Sequence, residues 1–289
     1  MLKYASPAKV NLVLEVLGKR EDGFHELRSL VQTVDLCDTL YFEMSDKVSF
    51  ECTEPALHTP DNLVLKAVKL VKEATDCNKG VKVRLEKHIP WGAGLGGGSS
   101  NAATTLLALN KLWGLGLSIP ELTSLAAKLG SDVPFFIYGG LALVDGRGEK
   151  VTPLGSIQPG WLILLVPDFA REAEKTKRLF SLLRREHFTH GEFITAALES
   201  WQKQRQIEPS LLFNAFDAIA FDAFPGLEKY RTRLQELGLR NIHLVGSGPT
   251  LFAPVESNNT AQNIVNSLTA DGFEAYAVPT LGKPRLQSP

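Results

Sequence analysis

The chain has 289 residues, 44% of them hydrophobic, and a formal net charge of −1. Its length is enough for one large core or, as we expect here, for two domains that share a cleft. The balanced charge gives no long-range attraction to nucleic acid or to an anionic membrane. We therefore expect neither as a partner, and any cationic site should be local.

The start of the chain and its cysteines predict a cytoplasmic protein. The first residues run directly into a strand-like pattern and lack the basic, apolar and small-residue order of a secretory signal. No apolar run reaches the roughly 18 residues that a membrane helix needs. Cys37, Cys52 and Cys77 form no CxxC pair, so neither a disulfide framework nor a structural zinc site is expected.

The first half of the chain is predicted to be rich in strands. Alternating apolar and polar residues predict strands at 10–18, 29–36, 39–44, 48–52 and 81–87. Asp61 is a candidate N-cap for a helix that ends near residue 74. Further helices are expected at 99–113 and, with Ser118 as its cap, at 119–129. A hairpin around Asp145-Gly146 should join strands at 141–145 and 149–152.

A stretch rich in proline, glycine and serine at 153–159 is the predicted domain boundary. It divides the chain into an N-terminal domain, 1–155, and a C-terminal domain, 156–289. The elements expected after it are a strand at 161–166, helices at 172–185, 192–202 and 227–237, strands at 242–245 and 251–254, a helix at 260–271 and a strand at 273–278. Since strands and helices do not strictly alternate, we predict an α+β fold.

Residues 90–103 read Pro-Trp-Gly-Ala-Gly-Leu-Gly-Gly-Gly-Ser-Ser-Asn-Ala-Ala and form the most informative stretch. Its glycines permit close approach of a ligand and backbone angles that other residues avoid. Ser-Ser-Asn and an apolar helical pattern follow, which places a helix N-terminus directly after the loop. Free N–H groups and the helix dipole at such a terminus favour a bound phosphate group. We therefore predict a phosphate-binding loop.

Three other interpretations of this stretch compete. A P-loop requires GxxxxGK[ST], and the lysine is missing at that spacing. Gly92 to Gly97 match the GxGxxG pattern of dinucleotide sites, but Pro90 interrupts the approach and no strand ending in an acidic residue follows about 20 positions later. A plain glycine-rich linker would not need to be followed at once by Ser-Ser-Asn and a helix.

Four motifs along the chain carry a family resemblance. They are Ser-Pro-Ala-Lys-Val-Asn-Leu at 6–12 with Asp-Gly-Phe-His at 22–25, Gly-Leu-Gly-Gly-Gly-Ser-Ser-Asn-Ala-Ala at 94–103, Gly-Ser-Asp-Val-Pro-Phe-Phe at 130–136, and Leu-Val-Gly-Ser-Gly-Pro-Thr-Leu-Phe-Ala at 244–253. In this order they resemble the motifs of the GHMP kinases (galactose, homoserine, mevalonate and phosphomevalonate kinases). The form of the glycine loop is similar to that of one branch of this family, which acts in isoprenoid precursor synthesis. The small-molecule acceptor of that branch carries a cytidine diphosphate group.

The resemblance implies a two-domain GHMP kinase fold with its active site in the cleft between the domains. It also implies ATP-dependent phosphorylation of a hydroxyl group, with Mg²⁺ arriving on the ATP. In the family, the aspartate that matches Asp132 is assigned as the catalytic base, and the lysine that matches Lys9 lies beside it. The residues alone leave alternatives open, because Asp132 could cap a helix and Lys9 could be a solvated edge residue of its strand. Asn11 lies two positions after Lys9, on the same strand face, and is expected to bind the acceptor.

The resemblance also implies two sets of binding residues. Those expected to bind ATP are Asn62, Lys87, Pro90, Gly92, Gly94, Gly96, Gly97, Gly98, Ser99 and Ser100. Asn62 and Lys87 would otherwise be explained as a helix cap and an exposed strand end. Gly246, Ser247 and Gly248 resemble a motif that bends toward the substrate phosphates, and a plain turn between two strands would explain them equally.

Phe24 and His25, on a turn, are expected to hold the cytosine in the branch that the loop resembles, although both could simply lie on the surface. Family members commonly have tyrosine at position 24, so the phenylalanine keeps the stacking face and loses the hydroxyl. Phe180 is the candidate for a second stacking aromatic, with a core position in its helix as the alternative. His187 and His190 have no evident third partner, so no metal site is predicted there.

Three other functions stay open from the sequence. A GHMP kinase for homoserine or a sugar would not need the Phe24-His25 turn. A catalytically inactive relative that senses a ligand would be expected to lack Lys9 or Asp132. A nicotinamide-dependent enzyme would follow from the GxGxxG interpretation.

Overall fold

A computed structural model describes residues 1–155, 157–158, 160–170 and 175–282. In chain order the strands are β1 (Leu2–Lys19), β2 (His25–Ser45), β3 (Ser49–Cys52), β4 (Gly80–Glu86), β5 (Leu141–Gly146), β6 (Lys150–Gly155), β7 (Trp161–Val166), β8 (Phe213–Asn214), β9 (His243–Leu244), β10 (Leu251–Val255) and β11 (Glu274–Pro279). The helices are α1 (Leu63–Thr75), α2 (Gly97–Trp113), α3 (Ile119–Leu129), α4 (Val133–Tyr138), α5 (Lys175–Leu182), α6 (Glu192–Gln204), α7 (Ala220–Ala223), α8 (Leu227–Glu236) and α9 (Asn258–Ala270).

Two sheets organise these elements. The larger one is built on the long antiparallel pair of β1 and β2, with β4 and β5 both pairing with β2 at different points along its length. β3 and β6 lie outside β4 and β5, and β8 adds to β1 in parallel. The smaller sheet has the order β11-β7-β10-β9. The predicted α+β class is confirmed.

The apolar side chains form three clusters, and the third joins the two sheets. The first lies between the large sheet and α1 to α4, where Phe42, Val83 and Leu106 are fully buried. The second surrounds the small sheet and the helices after it. The third contains Val10 of β1 and Leu95 of the glycine-rich stretch, together with side chains of β7 and β10. Burial of Leu95 therefore fixes the glycine-rich stretch at the junction of the two sheets.

A buried carboxylate adds a polar tie between the two halves. α6 begins after Gly191, which has no side chain to cap it. Glu15 of β1 is fully buried and accepts hydrogen bonds from the N–H groups of Phe193 and Ile194, at 3.4 and 2.9 Å. The carboxylate thus supplies the missing cap, and its charge suits the positive end of the helix dipole.

Several predicted elements are confirmed, and the differences have local causes. The helix at 119–129 and the strand at 161–166 have the predicted bounds, and Ser118 caps the helix as expected. The strands expected at 29–36 and 39–44 are one strand, β2, because a bulge opposite Pro7 and Ala8 only interrupts the pairing. Asn62 rather than Asp61 caps α1.

Two differences concern the helices nearest to the glycine loop and to Asp132. α2 starts at Gly97 instead of 99, because the last two glycines of the loop already form its first turn. The short helix α4 follows Asp132 directly and was not predicted. Of the helix expected at 172–185, α5 covers 175–182 and ends three residues earlier than predicted. Residues 171–174 lie outside the described part of the chain, as do positions 156 and 159 of the expected boundary.

Candidate functional site

The glycine loop, residues 90–98, lines a cavity of about 380 Å³. A volume of this size is typical of small-molecule sites. The segment before α1 and its first residue also line the cavity, with Leu57, Thr59, Asp61, Asn62 and Leu63. Of the residues predicted to bind ATP, the ones that line this cavity are Asn62, Lys87, Pro90, Gly92, Gly94, Gly96, Gly97, Gly98 and Ser99. Ser100 is buried behind them, and its hydroxyl accepts a 2.7 Å hydrogen bond from Ser6.

The loop needs glycine because it runs against other parts of the protein. A Cβ atom on Gly94 would lie 2.6 Å from the carbonyl oxygen of Val245. At Gly96, where φ is +74°, it would lie 2.9 Å from Lys9 Cγ and from the ring of Phe136. Gly96 is also the N-cap of α2 and has no side chain to bond the first N–H groups of the helix. These groups therefore remain available to a ligand at the cavity.

Lys9 and Asp132 face each other beside this loop. Lys9 Nζ lies 3.7 Å from Asp132 Oδ2, with the lysine side chain 6% and the aspartate side chain 52% exposed. Lys9 also donates a 2.7 Å hydrogen bond to Asn11 Oδ1, and Asn11 Nδ2 donates to Ser29 Oγ at 2.9 Å. The lysine is thus a buried, oriented cation rather than a solvated edge residue.

Asp132 occupies the N-cap position of α4 without acting as a cap. Its side chain makes no capping hydrogen bond, and its carboxylate is directed toward Lys9 instead. A half-exposed carboxylate next to a fixed ammonium can accept a proton from a ligand that enters from solvent. The capping explanation of this aspartate does not hold in the structure.

The second glycine loop, residues 246–248, covers the same ammonium from the C-terminal half. A Cβ atom on Gly246, at φ +55°, would lie 3.0 Å from Lys9 Nζ and 3.2 Å from Asn11 Oδ1. Gly248 faces the first glycine loop, since a Cβ atom on Gly94 would lie 2.9 Å from its carbonyl oxygen. The two loops and the Lys9–Asp132 pair therefore meet at one place.

Asn214 holds the second glycine loop, and sequence analysis missed this residue. Its Nδ2 donates to the carbonyl oxygens of Leu244 and Gly246, at 2.8 and 2.9 Å, and the side chain is almost completely buried. The Ser247 hydroxyl lies 3.0 Å from Thr176 Oγ1 of α5. The signal that could have found Asn214 is a polar side chain inside an apolar stretch, Leu-Leu-Phe-Asn-Ala-Phe.

The aromatic residues expected to hold a base lie together, though not all in one stack. The rings of His25 and Phe180 are stacked, with centroids 4.9 Å apart and planes inclined by 21°. Phe180 is half-buried in α5 and also packs against the second apolar cluster, as the alternative explanation of a core position expects. Phe24 is 53% exposed, and the guanidinium of Arg147 lies 4.8 Å above its ring.

His25 carries a perturbed acid–base equilibrium. Partial burial of the ring and, to a smaller extent, the positive charge of Lys19 lower the pKa of His25 from its ordinary value of 6.5. The imidazole is therefore neutral near pH 7. A neutral imidazole can both donate and accept a hydrogen bond, which suits recognition of a nucleobase edge.

A buried acid beneath the glycine loop was also missed. Asp38 lies on the same face of β2 as Leu40 and Phe42, which belong to the core, and it is fully buried. It forms an ion pair with Lys87, whose side chain is only 5% exposed and is therefore not an exposed strand end. The alternation of β2 carried the signal, because it places a carboxylate on an apolar face.

The described residues offer no cage for a metal ion. Within this part of the chain, no group of three or more histidine, cysteine, aspartate or glutamate side chains could hold a metal ion. The three cysteines are thiols rather than disulfides. Across the same residues, the helices are too short or too polar to cross a membrane.

Comparisons with known proteins show the family to which this chain is related. Residues 62–140 match the family model of the GHMP kinase N-terminal domain, and residues 181–274 match that of the GHMP kinase C-terminal domain. The chain is 48% identical to the 4-diphosphocytidyl-2-C-methyl-D-erythritol kinase of Dehalococcoides mccartyi over 98% of this chain and 99% of the relative. It is 36% identical to the enzyme of the same name from Geobacillus kaustophilus, over 98% of each.

Solved structures extend the similarity to the fold. A crystal structure of 4-(cytidine 5′-diphospho)-2C-methyl-D-erythritol kinase is 35% identical, with a TM-score of 0.83 over 97% of this chain and 99% of that one. Mevalonate kinase from L. major has a TM-score of 0.72 at 18% identity, over 98% and 96% of the two chains. The second similarity concerns the fold alone.

Proposed function

The chain belongs to the GHMP kinase family and is an ATP-dependent small-molecule kinase, and we propose that it phosphorylates the 2-hydroxyl of 4-diphosphocytidyl-2-C-methyl-D-erythritol. This is the acceptor in the names of its relatives at 35% to 48% identity. The reaction would serve the non-mevalonate route to isoprenoid precursors. The acceptor would bind in the cleft between the two glycine loops. We propose that the two domains divide between residues 155 and 156.

The observation that carries the proposal is the position of the Lys9–Asp132 pair. The pair lies 3.7 Å apart between two glycine loops that come from different halves of the chain. The first loop opens on the cavity and starts a helix, as a phosphate site requires. A hydroxyl held at Asp132 would therefore be close to a nucleotide phosphate bound at that loop.

The chemistry that we assign to these residues is a single displacement at phosphorus. The acceptor oxygen forms a bond to the γ-phosphorus, the bond from that phosphorus to the β-phosphate oxygen breaks, and ADP leaves. Asp132 takes the hydroxyl proton. The Lys9 ammonium, held by Asn11, stabilises the negative charge that develops on the acceptor oxygen and transferred group.

Mg²⁺ would bind with the ATP. It usually needs only one or two protein ligands in addition to the nucleotide phosphates. Ser99 lines the cavity, and its hydroxyl is the protein group that we assign to the ion, whereas the Ser100 hydroxyl is bound to Ser6. When bound, Mg²⁺ neutralises phosphate charge during transfer.

The far end of the acceptor would lie at the aromatic group. We assign the cytosine to Phe24, His25 and Phe180, with stacking on an aromatic face and a hydrogen bond to the neutral imidazole. Gly246, Ser247 and Gly248 would contact the phosphates between the base and the reacting hydroxyl. The place of action that we propose is the cytoplasm, which suits the three thiols.

A coupled assay for ADP formation tests the proposal. The acceptors are 4-diphosphocytidyl-2-C-methyl-D-erythritol, 2-C-methyl-D-erythritol 4-phosphate, homoserine, mevalonate and galactose. We expect kcat/KM for the cytidylated compound to exceed that for the uncytidylated one by about 100-fold, since base stacking contributes roughly 1–3 kcal/mol. Equal activity on both would remove the cytosine assignment, and a preference for homoserine, mevalonate or galactose would replace the proposed acceptor.

A further inference from the structure

A carboxylate that has no part in the proposed chemistry binds both ends of the glycine loop. Asp38 Oδ2 accepts hydrogen bonds from the Lys87 ammonium at 2.5 Å and from Asn101 Nδ2 at 2.9 Å. Its Oδ1 accepts hydrogen bonds from the backbone N–H groups of His88 and Ile89, both at 2.8 Å. The carboxylate is fully buried, so these donors replace the water that it loses on folding.

The donors stand on opposite sides of the loop in the sequence. Residues 87–89 come directly before the loop, and Asn101 lies in α2, directly after it. One side chain on β2 therefore fixes the distance between the two ends of residues 90–98. Ser6 of β1 reinforces the second end, because its hydroxyl accepts from Asn101 Nδ2 at 3.0 Å and donates to Ser100 Oγ at 2.7 Å.

The ion pair also determines where the Lys87 charge lies. Lys87 Nζ is directly below the loop, since a Cβ atom on Gly97 would lie 2.9 Å from it. Removing the charge of one partner in such a buried pair leaves the other poorly compensated. Without the Asp38 charge, the ammonium would gain from moving toward solvent, and the loop above it would lose its support.

We propose that Asp38 is a positioning residue for ATP: it holds the glycine loop in its binding conformation before the nucleotide arrives. A loop ordered in advance does not lose conformational freedom on binding, so the binding free energy is not spent on ordering it. The proposal rests on the proposed function, because it requires ATP to occupy the cavity at this loop. Asp38 itself touches neither ATP nor the acceptor.

The test is the variant Asp38→Asn, studied with calorimetry and steady-state kinetics. Asparagine keeps one oxygen for the backbone N–H groups but presents an NH₂ group, a donor, to the Lys87 ammonium and to Asn101. We expect the dissociation constant of a non-hydrolysable ATP analogue and the KM for ATP to rise by about 10- to 100-fold, the effect of losing a hydrogen bond between charged groups. The KM for the acceptor should change by less than about twofold, because the acceptor binds elsewhere.

Glu15→Gln is the matched control. Glu15 is an equally buried carboxylate on the neighbouring strand β1, and it likewise accepts two backbone N–H groups. Its partners lie in α6, away from the cavity. The control should lower the melting temperature and leave ATP binding unchanged, so it separates positioning of the loop from a general loss of stability.

The outcomes distinguish this inference from the proposed function. If the unmodified protein does not bind the ATP analogue, the proposed function fails. If it binds, a folded Asp38→Asn protein with unchanged affinity overturns the positioning role, as does an equal rise of both KM values. If the Asp38→Asn protein does not fold, the variant Ser6→Ala provides the test instead. A rise of roughly threefold in its dissociation constant for the ATP analogue supports the positioning role, and no change overturns it.

Discussion

Replacing Asp132 with asparagine separates the chemistry of the site from its stability. The change keeps the size of the side chain but removes the proton acceptor and the charge 3.7 Å from Lys9. Asp132 is half-exposed and caps nothing. The lost ion pair should therefore lower the free energy of unfolding by no more than about 1 kcal/mol. Lys9 keeps its hydrogen bond to Asn11.

The expected loss of activity is much larger than this loss of stability. We expect kcat to fall by about 10²–10⁴, because an amide cannot take the hydroxyl proton. This corresponds to about 3–5 kcal/mol of transition-state stabilisation. ATP affinity should be nearly unchanged, since Asp132 does not line the cavity at the glycine loop where we propose that ATP binds. Steady-state kinetics, calorimetry with the ATP analogue and thermal unfolding measure the three quantities.

Asp271→Asn is the control for this substitution. Asp271 is also partly exposed and accepts a 2.7 Å hydrogen bond from Arg233 Nε, at the end of α9. The same substitution there breaks an ion pair remote from both glycine loops, and kcat should remain within about twofold. A near-normal kcat in a folded Asp132→Asn protein, or an equal loss of kcat in the control, would refute the general-base assignment.

Three further predictions use the same assays. Gly96→Val should weaken ATP binding by more than tenfold, about the effect of misplacing a positioned group, while Gly114→Val, which has a similar φ of +66° but open space around it, should cost stability alone. Phe24→Ala should raise the KM of the cytidylated acceptor by about 5- to 150-fold and leave the KM of ATP unchanged; equal effects on both would contradict base stacking. Burial lowers the pKa of His25 from 6.5, so its contribution to the stability of the folded protein is fully present above pH 6.5 and is lost as pH falls through the folded pKa. Protonation over the same range also removes the imidazole acceptor that we assign to the cytosine. The KM of the cytidylated acceptor should therefore rise below pH 6.5, and a profile unchanged in His25→Gln would remove that residue from the cause.

Local patterns were sufficient to predict the elements whose cause is local. Alternation predicted strands such as β4, in which buried and exposed side chains follow one another. It did not predict the start of β1, which is buried on both faces from Ser6 to Val16. The Ser118 capping box at α3 depends only on residues three positions apart. The predicted start of α2 is two residues too late. Glycine has a low helix propensity, so Gly97 and Gly98 were not recognised as the first turn of the helix. The helix α4 was not predicted, because its six mostly apolar residues show no helical period of apolar and polar positions.

The missed residues depend on partners that are remote in the sequence. Asp38 is 49 positions from Lys87 and 63 from Asn101, and Asn214 is 32 from Gly246. No spacing rule connects such pairs, because the contact exists only after the sheets have assembled. The motif residues Lys9, Asn11 and Asp132 could be named from the family resemblance. Asp38 and Asn214, which hold the two glycine loops, could not.

The surroundings of Lys9 show why glycine recurs at this site. Gly96 and Gly246 come from opposite halves of the chain, and a Cβ atom on either would lie within about 3 Å of the lysine side chain. Any larger residue would displace the ammonium or cover it. Two glycine loops can therefore approach one buried cation and leave its charge available to Asp132 and to the groups bound between them. The same closeness makes the site sensitive to the relative position of the two halves, which explains why buried polar side chains, rather than apolar contacts alone, tie each loop to its sheet.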